Sequence, residues 1–289
     1  MNVSTIKRFI ALALAPSLVL YALFVFVPVI WSAYYSLFNW KGISEATFIG
    51  FQNYVELVQD DIFWRALKNN VVFVLASVLG QVPIALMLSI VLFKNNFFQR
   101  LLRTAVFMPM VLSTVVIGLI WSYIYHPQIG LLNFLLDFLK LGHLKLQWTS
   151  DANIAIYALI PPLIWSYVGL YLIIFISALQ NIPNELNDAA KIDGATGLTK
   201  LVKITLPMIW GTIQVAIILC ISGSLKSFDL VYIMTKGGPA HATELLATYM
   251  YNATFSTYRY GYGSTISTAI VIISLLLIGI SQWLTNKPK

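Results

Sequence analysis

The sequence contains little charge. Only 10% of its 289 residues are Asp, Glu, Lys or Arg, whereas an average soluble domain has roughly 25%. Hydrophobic residues make up 59% of the chain, so the charged side chains are too few to cover a surface that faces water. The composition therefore excludes an ordinary soluble domain and predicts a protein whose surface largely faces lipid.

Cysteine is nearly absent as well. The chain has a single cysteine, Cys220, which excludes an internal disulfide and a zinc site made of several cysteines. Because Cys220 lies within an apolar run, we interpret it as a small buried hydrophobic residue.

Motifs for covalent chemistry and for nucleotide or metal binding are also missing. The sequence has no Gly-x-x-x-x-Gly-Lys-Ser/Thr segment, the loop with which P-loop ATPases hold phosphate groups. The nearest candidate, Gly223–Ser227, has a different spacing. No His-x-x-x-His or Glu-x-x-His pair places two metal ligands on one helix face. We therefore expect a protein that is not an enzyme and that has no cofactor or metal of its own.

Long apolar segments are what the sequence does contain. Several reach the roughly 20 residues that a helix needs to cross a bilayer. In lipid the backbone must satisfy its own hydrogen bonds, which favours helices, and the alternating pattern of a β-barrel is absent. The sequence thus predicts an all-α polytopic membrane protein with six transmembrane helices. They cover roughly Phe9–Trp31, Asn70–Phe93, Ala105–Tyr125, Ile154–Leu179, Met208–Phe228 and Ser264–Leu284.

Basic residues concentrate in alternate loops between these segments. The net charge of +7 is therefore explained by the positive-inside rule, under which basic loops stay in the cytoplasm. This rule predicts that both termini and the loops Lys94–Thr104 and Gln180–Leu206 are cytoplasmic. The opposite loops carry most of the acidic residues, among them Asp137 and Glu244, and are predicted to be external.

Prolines inside the spans or at their ends are expected to kink the helices. They are Pro83, Pro109, Pro161, Pro162 and Pro207.

The polar loop at residues 181–207 has helical character of its own. The sequence predicts a short helix from Glu185 to Ile192, stopped by a left-handed glycine at Gly194. A second helix is predicted over about Thr196–Ile204, with Pro207 at the start of the next span. Helices this short need a packing partner, and spacing alone leaves open whether that partner is this chain or another protein. One face of the first helix carries Leu186, Ala189, Ala190 and Asp193.

This loop resembles the EAA loop of ABC importer permeases, the membrane subunits of binding-protein-dependent uptake systems. That family has Glu-Ala-Ala, then a glycine after three further residues, then Ile-x-Leu-Pro. The matching residues here are Asp188, Ala189, Ala190, Gly194, Ile204, Leu206 and Pro207. The chain departs from the pattern at Asp188, which keeps the charge on a shorter side chain. The resemblance implies that the loop docks on an ATPase subunit through Glu185, Leu186, Asp188, Ala189, Ala190, Asp193, Gly194 and Pro207.

Three segments in the predicted external loops extend the resemblance to sugar permeases, and the Thr235–Pro239 turn in particular resembles that of the maltose-type first subunit. They are Phe51–Tyr54, Gly130–Asn133 and Thr235–Pro239. The resemblance implies a type I importer fold, with residues 1–289 as one permease domain whose core covers about 70–285. It also implies a bacterial inner-membrane location and an assembly with a second related permease, two ABC ATPase subunits and an extracytoplasmic solute-binding protein. ATP and Mg would be bound by the ATPase subunits.

Polar residues within spans should point inward, because a polar group that faces lipid is costly. A sugar path is therefore predicted along hydroxyl and aromatic side chains, although such residues also serve helix packing. The candidates are Thr114, Trp165, Ser166, Tyr167, Ser224 and Ser227.

Three other functions remain as alternatives. A permease for glycerol-3-phosphate or a polyol would fit the same family, and the phosphate would call for a basic pocket. An ion-coupled secondary carrier would need buried charges or internal repeats. A membrane-embedded enzyme would need a metal or nucleophile cluster.

Overall fold

The computed structural model describes residues 13–43 and 45–285, apart from the side chains of Asn187, Lys191, Leu284 and Thr285. The described chain is mostly helical and has almost no strand, which confirms the predicted all-α fold. Two short antiparallel strands are present, β1 (Phe38–Asn39) and β2 (Thr47–Phe48), with Phe38 opposite Phe48. The first four residues of the first predicted span, and the basic residues near both termini, lie outside the described part of the chain.

The helices are, in chain order, α1 (Ala13–Tyr35), α2 (Gln52–Gln59), α3 (Asp61–Val91), α4 (Phe97–Val111), α5 (Thr114–Ile124), α6 (Leu131–Phe138), α7 (Ala155–Gln180), α8 (Asn184–Ile192), α9 (Gly197–Met208), α10 (Trp210–Leu225), α11 (Asp229–Met234), α12 (Leu246–Tyr251) and α13 (Tyr260–Thr285).

Six apolar segments correspond to the six predicted spans. Among the described residues, α1, α3, α7 and α13 are each long and apolar enough to cross a membrane. The other two are bent pairs, α4 with α5 at 100° and α9 with α10 at 70°. The third predicted span is therefore bent within its length, whereas the fifth begins at the bend and coincides with α10, and the count of six holds when each bent pair is one span.

The bend between α4 and α5 has a local cause. Pro109 lies inside the last turn of α4, where it removes a helix hydrogen bond. Leu112 and Ser113 then adopt extended conformations. The Ser113 hydroxyl accepts a hydrogen bond from the backbone N–H of Val116, so a new helix begins there.

Other prolines widen helices instead of kinking them sharply. Wide π-type turns occupy Ala22–Phe26, Ser77–Gln81 and Leu201–Thr205, and each ends two residues before a proline. Proline lacks an N–H and its ring crowds the carbonyl four residues earlier, which favours a wider turn. Because of this widening, α9 continues through Pro207. The bend predicted at that proline occurs at Ile209 instead, and the second short helix predicted to end at Ile204 is longer than expected.

Two compact units divide the described chain. One contains the residues up to Asp60 together with Tyr249–Ile272, and the other contains Asp61–Thr248 and the residues from Ile273 onward. The interpretation of residues 1–289 as a single permease domain stays a prediction.

Helix α7 is the central element of the larger unit. It packs against α3, α4 and α10 and buries Leu172 and Phe175 completely. Gly169 lets α7 approach α4 closely, because a Cβ at this position would lie 2.6 Å from the Cα of Phe107. Small residues at such crossings are typical of helices that associate in membranes.

In the smaller unit, polar contacts join α2 to the segments around it. The Asn53 side chain donates to the carbonyls of Ser36 and Phe38 at 2.8 and 3.0 Å. The carboxylate of Asp60 accepts hydrogen bonds from the hydroxyls of Tyr249 and Tyr262. Helix α1 itself has no buried residue along its apolar window.

Candidate functional site

A cavity of about 370 Å³ lies in the larger unit between α3, α5, α7, α10 and α11. Leu163, Leu170, Leu219 and Leu230 form apolar walls. The polar lining comes from the wide turn of α3, the start of α5, α7, and the segment from the end of α10 to the start of α11. These polar residues are Ser77, Gln81, Thr114, Ser166, Tyr167, Tyr171, Cys220, Ser224, Lys226, Ser227 and Asp229.

Five of the six predicted path residues line this cavity, and Trp165 does not. Trp165 belongs to an apolar cluster with Leu159 and Leu163, and its ring lies edge-on to that of Trp121 at 6.1 Å between centroids. Trp165 and the cavity-lining Tyr167 are two residues apart on α7, so their side chains leave the helix on different sides. The position of Trp165 indicates helix packing.

The lining hydroxyls differ in what they can offer a solute. The Ser166 hydroxyl donates to the carbonyl of Pro162 at 2.6 Å, one turn earlier in α7. The Ser224 hydroxyl donates to the Ser77 hydroxyl at 2.7 Å, and the Ser224 side chain is only 2% exposed. Tyr167 is 39% exposed, so its ring and hydroxyl are the more accessible polar surface of the cavity.

Two polar residues of the cavity, Ser77 and Gln81, were missed by sequence reasoning. Both lie in the wide turn of α3. The Gln81 amide donates to the carbonyl of Leu163 at 3.1 Å, and the Cys220 thiol lies 3.5 Å from its side-chain oxygen. The signal was present, because Ser77 and Gln81 are polar residues one turn apart in an otherwise apolar span.

The charged residues of the cavity lining lie at the junction of α10 and α11. Lys226 and Asp229 both line it and are both exposed. Within the described residues, no ion pair joins these two side chains. Phe228 lies between them in sequence and stacks on Tyr232, with ring centroids 5.0 Å apart, so an aromatic face lies beside the charged groups.

The predicted docking helix is present as α8, and its end has the predicted geometry. Gly194 has φ of +70°, and the N–H of Ala195 donates to the carbonyl of Ala190 at 2.8 Å. A six-to-one hydrogen bond around a left-handed glycine is the Schellman arrangement that ends a helix.

Exposure along α8 corrects one part of the predicted docking face. Ala190 is only 2% exposed, so its methyl group packs against this chain and cannot be the closest contact to a partner. Ala189, Glu185, Asp188 and Asp193 are exposed, and so is Leu186. Pro207 lies outside α8, near the end of α9.

Exposed apolar side chains also occur at the end of α8 and along α9, outside the predicted docking set. They are Ile192 at 88% exposure, Leu198 and Val202.

The Thr235–Pro239 segment forms a tightly built turn. The Gly237 Cα lies against the carboxylate of Glu244, which a Cβ would overlap. Glu244 is 1% exposed and its carboxylate contacts the His241 ring at 2.9 Å. The Asn69 side chain donates to the carbonyls of Ala242 and Glu244 at 2.9 Å each. Glu244 is therefore a buried support of the turn, and the external location of its loop stays a prediction.

The Gly130–Asn133 segment is built in a similar way. Its Asn133 accepts a hydrogen bond from the indole N–H of Trp148 at 2.9 Å and donates to the carbonyl of Pro127 at 3.1 Å. A Cβ on Gly130 would overlap the backbone of His126. These motif residues fasten loops to the helix ends.

Apolar spans of the larger unit, two of them from bent pairs, surround a polar cavity, an arrangement that suits the transport class of membrane protein. Residues 81–287 match the family described as binding-protein-dependent transport system inner membrane component, and the chain belongs to that family. This confirms the family indicated by the loop residues.

Proteins that are similar to this chain over nearly its whole length are also named as transport permeases. The sulfoquinovosyl glycerol transport system permease protein of Agrobacterium fabrum is 32% identical over 272 residues, which cover 93% of this chain and 87% of the relative. The multiple sugar-binding transport system permease protein of Streptococcus mutans is 31% identical over 274 residues, which cover 93% and 91%.

A solved structure shows the same fold. It is a chain of a bacterial alginate ABC transporter, crystallised with an alginate pentasaccharide-bound periplasmic protein. Its TM-score is 0.83 at 22% sequence identity, covering 98% of this chain and 96% of that chain. The predicted ABC importer permease fold is confirmed.

Proposed function

We propose that this permease carries a sugar, specifically an oligosaccharide, which an extracytoplasmic solute-binding protein delivers. The observation that carries the proposal is the cavity between α3, α7 and α10, in which hydroxyl groups and aromatic rings stand among leucine walls. Its volume of about 370 Å³ falls within the usual range of small-molecule sites, about 300–1,000 Å³. The two relatives described above are named for a sugar glycoside and for sugars.

Sugars present hydroxyl groups at their edges and apolar C–H groups on their faces. Tyr167, Thr114 and Ser227 supply hydroxyls that reach the cavity, and the Tyr167 and Phe228 rings supply flat surfaces. Few groups in the cavity carry charge, which suits a neutral polyhydroxylated solute.

ATP hydrolysis by partner subunits would drive the transport. In this proposal two ATPase subunits bind ATP and Mg, and a second related permease completes the path. The chain itself makes and breaks no covalent bond. Its part in coupling is carried by α8, whose exposed face includes Leu186, Ala189 and Ile192.

The covalent connection from α8 to the cavity is short. Residues 193–196 join α8 to α9, and α9 is bent by 70° against α10 at Ile209. Helix α10 then lines the cavity with Cys220 and Ser224. A displacement of α8 by the ATPase would therefore reach the cavity wall through one bent helix pair, which supports alternating access with Ile209 as a hinge.

The basic loops support an orientation with α8 and both termini in the cytoplasm. Lys94, Arg100 and Lys203, which are exposed, lie on the same predicted side as α8. The solute-binding protein would then approach the opposite side.

The test is purification of the chain from its own membrane, identification of the proteins that accompany it, and reconstitution of the assembly in vesicles. We expect an ABC ATPase, a related permease and ATP-dependent sugar uptake that needs the binding protein. Uptake without ATP, driven by an ion gradient, would contradict the proposal.

A phosphorylated polyol is a second candidate because Lys226 lines the cavity. An anionic solute would pair with this lysine, but Asp229 on the same wall opposes it. If the wild type takes up glycerol-3-phosphate but no neutral sugar, and Lys226→Gln abolishes this uptake, the anionic solute is the cargo.

A further inference from the structure

A second cavity, of about 310 Å³, lies at the end of the larger unit that carries α8. It is separate from the solute cavity and shares no residue with it. It is lined by Ile90, Phe93, Leu179, Ile182, Gly197, Lys200, Leu201 and Thr205.

Most of its wall is apolar and comes from the ends of membrane-spanning helices. Ile90 is in the last turn of α3, and Leu179 is in the last turn of α7. Ile90 and Phe93 are 38% and 40% exposed, although both are large hydrophobic residues. An apolar wall at the ends of membrane-spanning helices suits the part of a lipid acyl chain that is nearest the headgroup.

The polar part of the lining is cationic. Lys200 is half-buried in the cavity, and no carboxylate forms an ion pair with it among the described residues. Thr205, also half-buried, adds a hydroxyl for which the described chain provides no hydrogen-bond partner. An ammonium and a hydroxyl beside an apolar wall suit a phosphate ester.

The neighbouring arginine is already used by the protein. The Arg103 guanidinium donates to the carbonyls of Leu92, Phe93 and Lys94 at 2.8–2.9 Å. It thereby closes the end of α3 and fixes the backbone of Phe93, one wall of the cavity. Lys200 is left as the cation that faces the cavity.

We propose that this cavity binds one anionic phospholipid, with the phosphate at Lys200 and Thr205 and an acyl chain along Ile90, Phe93 and Leu179. Basic pockets between transmembrane helices commonly bind anionic headgroups. The charge favours an anionic lipid over a neutral one, and the apolar walls favour a lipid over a free phosphate. The proposal requires that the chain lies in a membrane, as its family does. It rests on the proposed function only for the orientation, which places the lipid in the inner leaflet.

The site lies next to the docking helix. Ile182 of the lining is two residues before α8, and Gly197 begins α9 after the connection formed by residues 193–196. A bound lipid would therefore fill the space between both ends of the docking segment and support its position.

The test uses the full chain with its accompanying subunits, in nanodiscs of phosphatidylcholine that contain a photoactivatable phosphatidylglycerol with the reactive group on an acyl chain. We expect crosslinks at Ile90, Phe93 or Leu179, mapped by mass spectrometry. Lys200→Gln should lower the crosslinking about fivefold, the factor expected for one lysine near a charged headgroup.

The matched control is Lys203→Gln, because Lys203 is exposed, three residues further along the same helix and outside the lining. It should leave the crosslinking unchanged. Ile90→Trp fills the cavity from a half-exposed position. It should abolish the crosslinks at Phe93 and Leu179, whether the probe is phosphatidylglycerol or phosphatidylcholine.

Four results would overturn the proposal. They are equal crosslinking by a phosphatidylcholine probe, equal crosslinking in Lys200→Gln, displacement by soluble glycerol phosphate, and crosslinking of a photoreactive residue at position 90 to a partner protein in place of lipid. The readout requires no transport, so a failed lipid site and a failed sugar function are distinguishable.

Discussion

The hydroxyl of Ser224 in α10 donates a hydrogen bond to the hydroxyl of Ser77 in the wide turn of α3, at 2.7 Å. This bond ties two helices together at the wall of the solute cavity. The Asn70 side chain strengthens the same junction by donating to the Ser224 carbonyl at 3.1 Å. Ser224 therefore supports the wall more than it offers a free group to a solute.

Ser224→Ala should lower stability without changing solute preference. Loss of one buried hydrogen bond costs about 1 kcal/mol, and the Ser77 hydroxyl is left without this partner. The thermal stability of the purified complex should fall, while the ratio of uptake rates for two sugars stays the same. A changed ratio at unchanged stability would show that Ser224 binds the solute.

Tyr167→Ala should have the opposite effect. Its ring is 39% exposed and lines the cavity, so its removal takes away a contact surface and costs little packing. We expect the apparent affinity for the sugar to weaken severalfold with assembly intact. Trp165→Phe is the matched control, since Trp165 packs on Trp121 outside the cavity, and it should leave sugar affinity unchanged.

The spans and helix α8 were predictable from the sequence because their signals are local. Apolar length gives the spans, and a glycine after a polar amphipathic stretch gives the end of α8. The bends at Ser113 and Ile209 were not predictable in the same way, since a proline signals only that a hydrogen bond is missing. Whether the helix breaks, as after Pro109, or widens, as before Pro83, depends on the surrounding packing.

The site was predicted in part for a related reason. The rule that polar residues in spans point inward led to Thr114, Ser166 and Tyr167, and each lines the cavity. The rule does not say which inward surface a residue reaches. Trp165 therefore packs on another tryptophan, and Ala190 is buried by its own chain.

Gly169→Ala should destabilise the helix packing of the larger unit. A methyl group would lie 2.6 Å from the Cα of Phe107 and from the carbonyl oxygen of Val106, so α7 and α4 must separate. Overpacking of this kind typically costs 1–3 kcal/mol. Gly279→Ala is the control, because nothing lies within 4 Å of a Cβ there. Thermal unfolding in detergent checks both, and equal melting temperatures would refute the close packing.

Cysteine labelling tests the orientation, and the buried native Cys220 adds little background. A cysteine at Asp137, whose side chain is 54% exposed, should react with an impermeant thiol reagent added outside intact cells. A cysteine at the exposed Lys94 should react only after the membrane is opened. Position 244 is unsuitable because Glu244 is buried. The reverse labelling pattern would invert the proposed topology.

Gly194→Ala should weaken the end of α8 by about 1 kcal/mol, since φ of +70° is unfavourable for a residue with a Cβ. Nothing lies within 4 Å of the added methyl group, so the effect is conformational and not steric. We expect a modest loss of ATPase coupling with the assembly retained. Complete loss of the ATPase would mean that Gly194 contacts the partner directly.

The central claim is that α8 docks on an ATPase subunit, and Ala189→Trp tests it most directly. Ala189 is exposed whereas Ala190 is buried, so a tryptophan at 189 alters the outer face of α8 without disturbing the packing of the chain beneath it. The measurement is the amount of ATPase that co-purifies with the wild-type chain and with the variant chain, when both are present in the membrane in equal amounts. The account predicts that the ATPase accompanies the wild type and is lost from Ala189→Trp. Full retention of the ATPase by the variant, together with wild-type uptake, would contradict it.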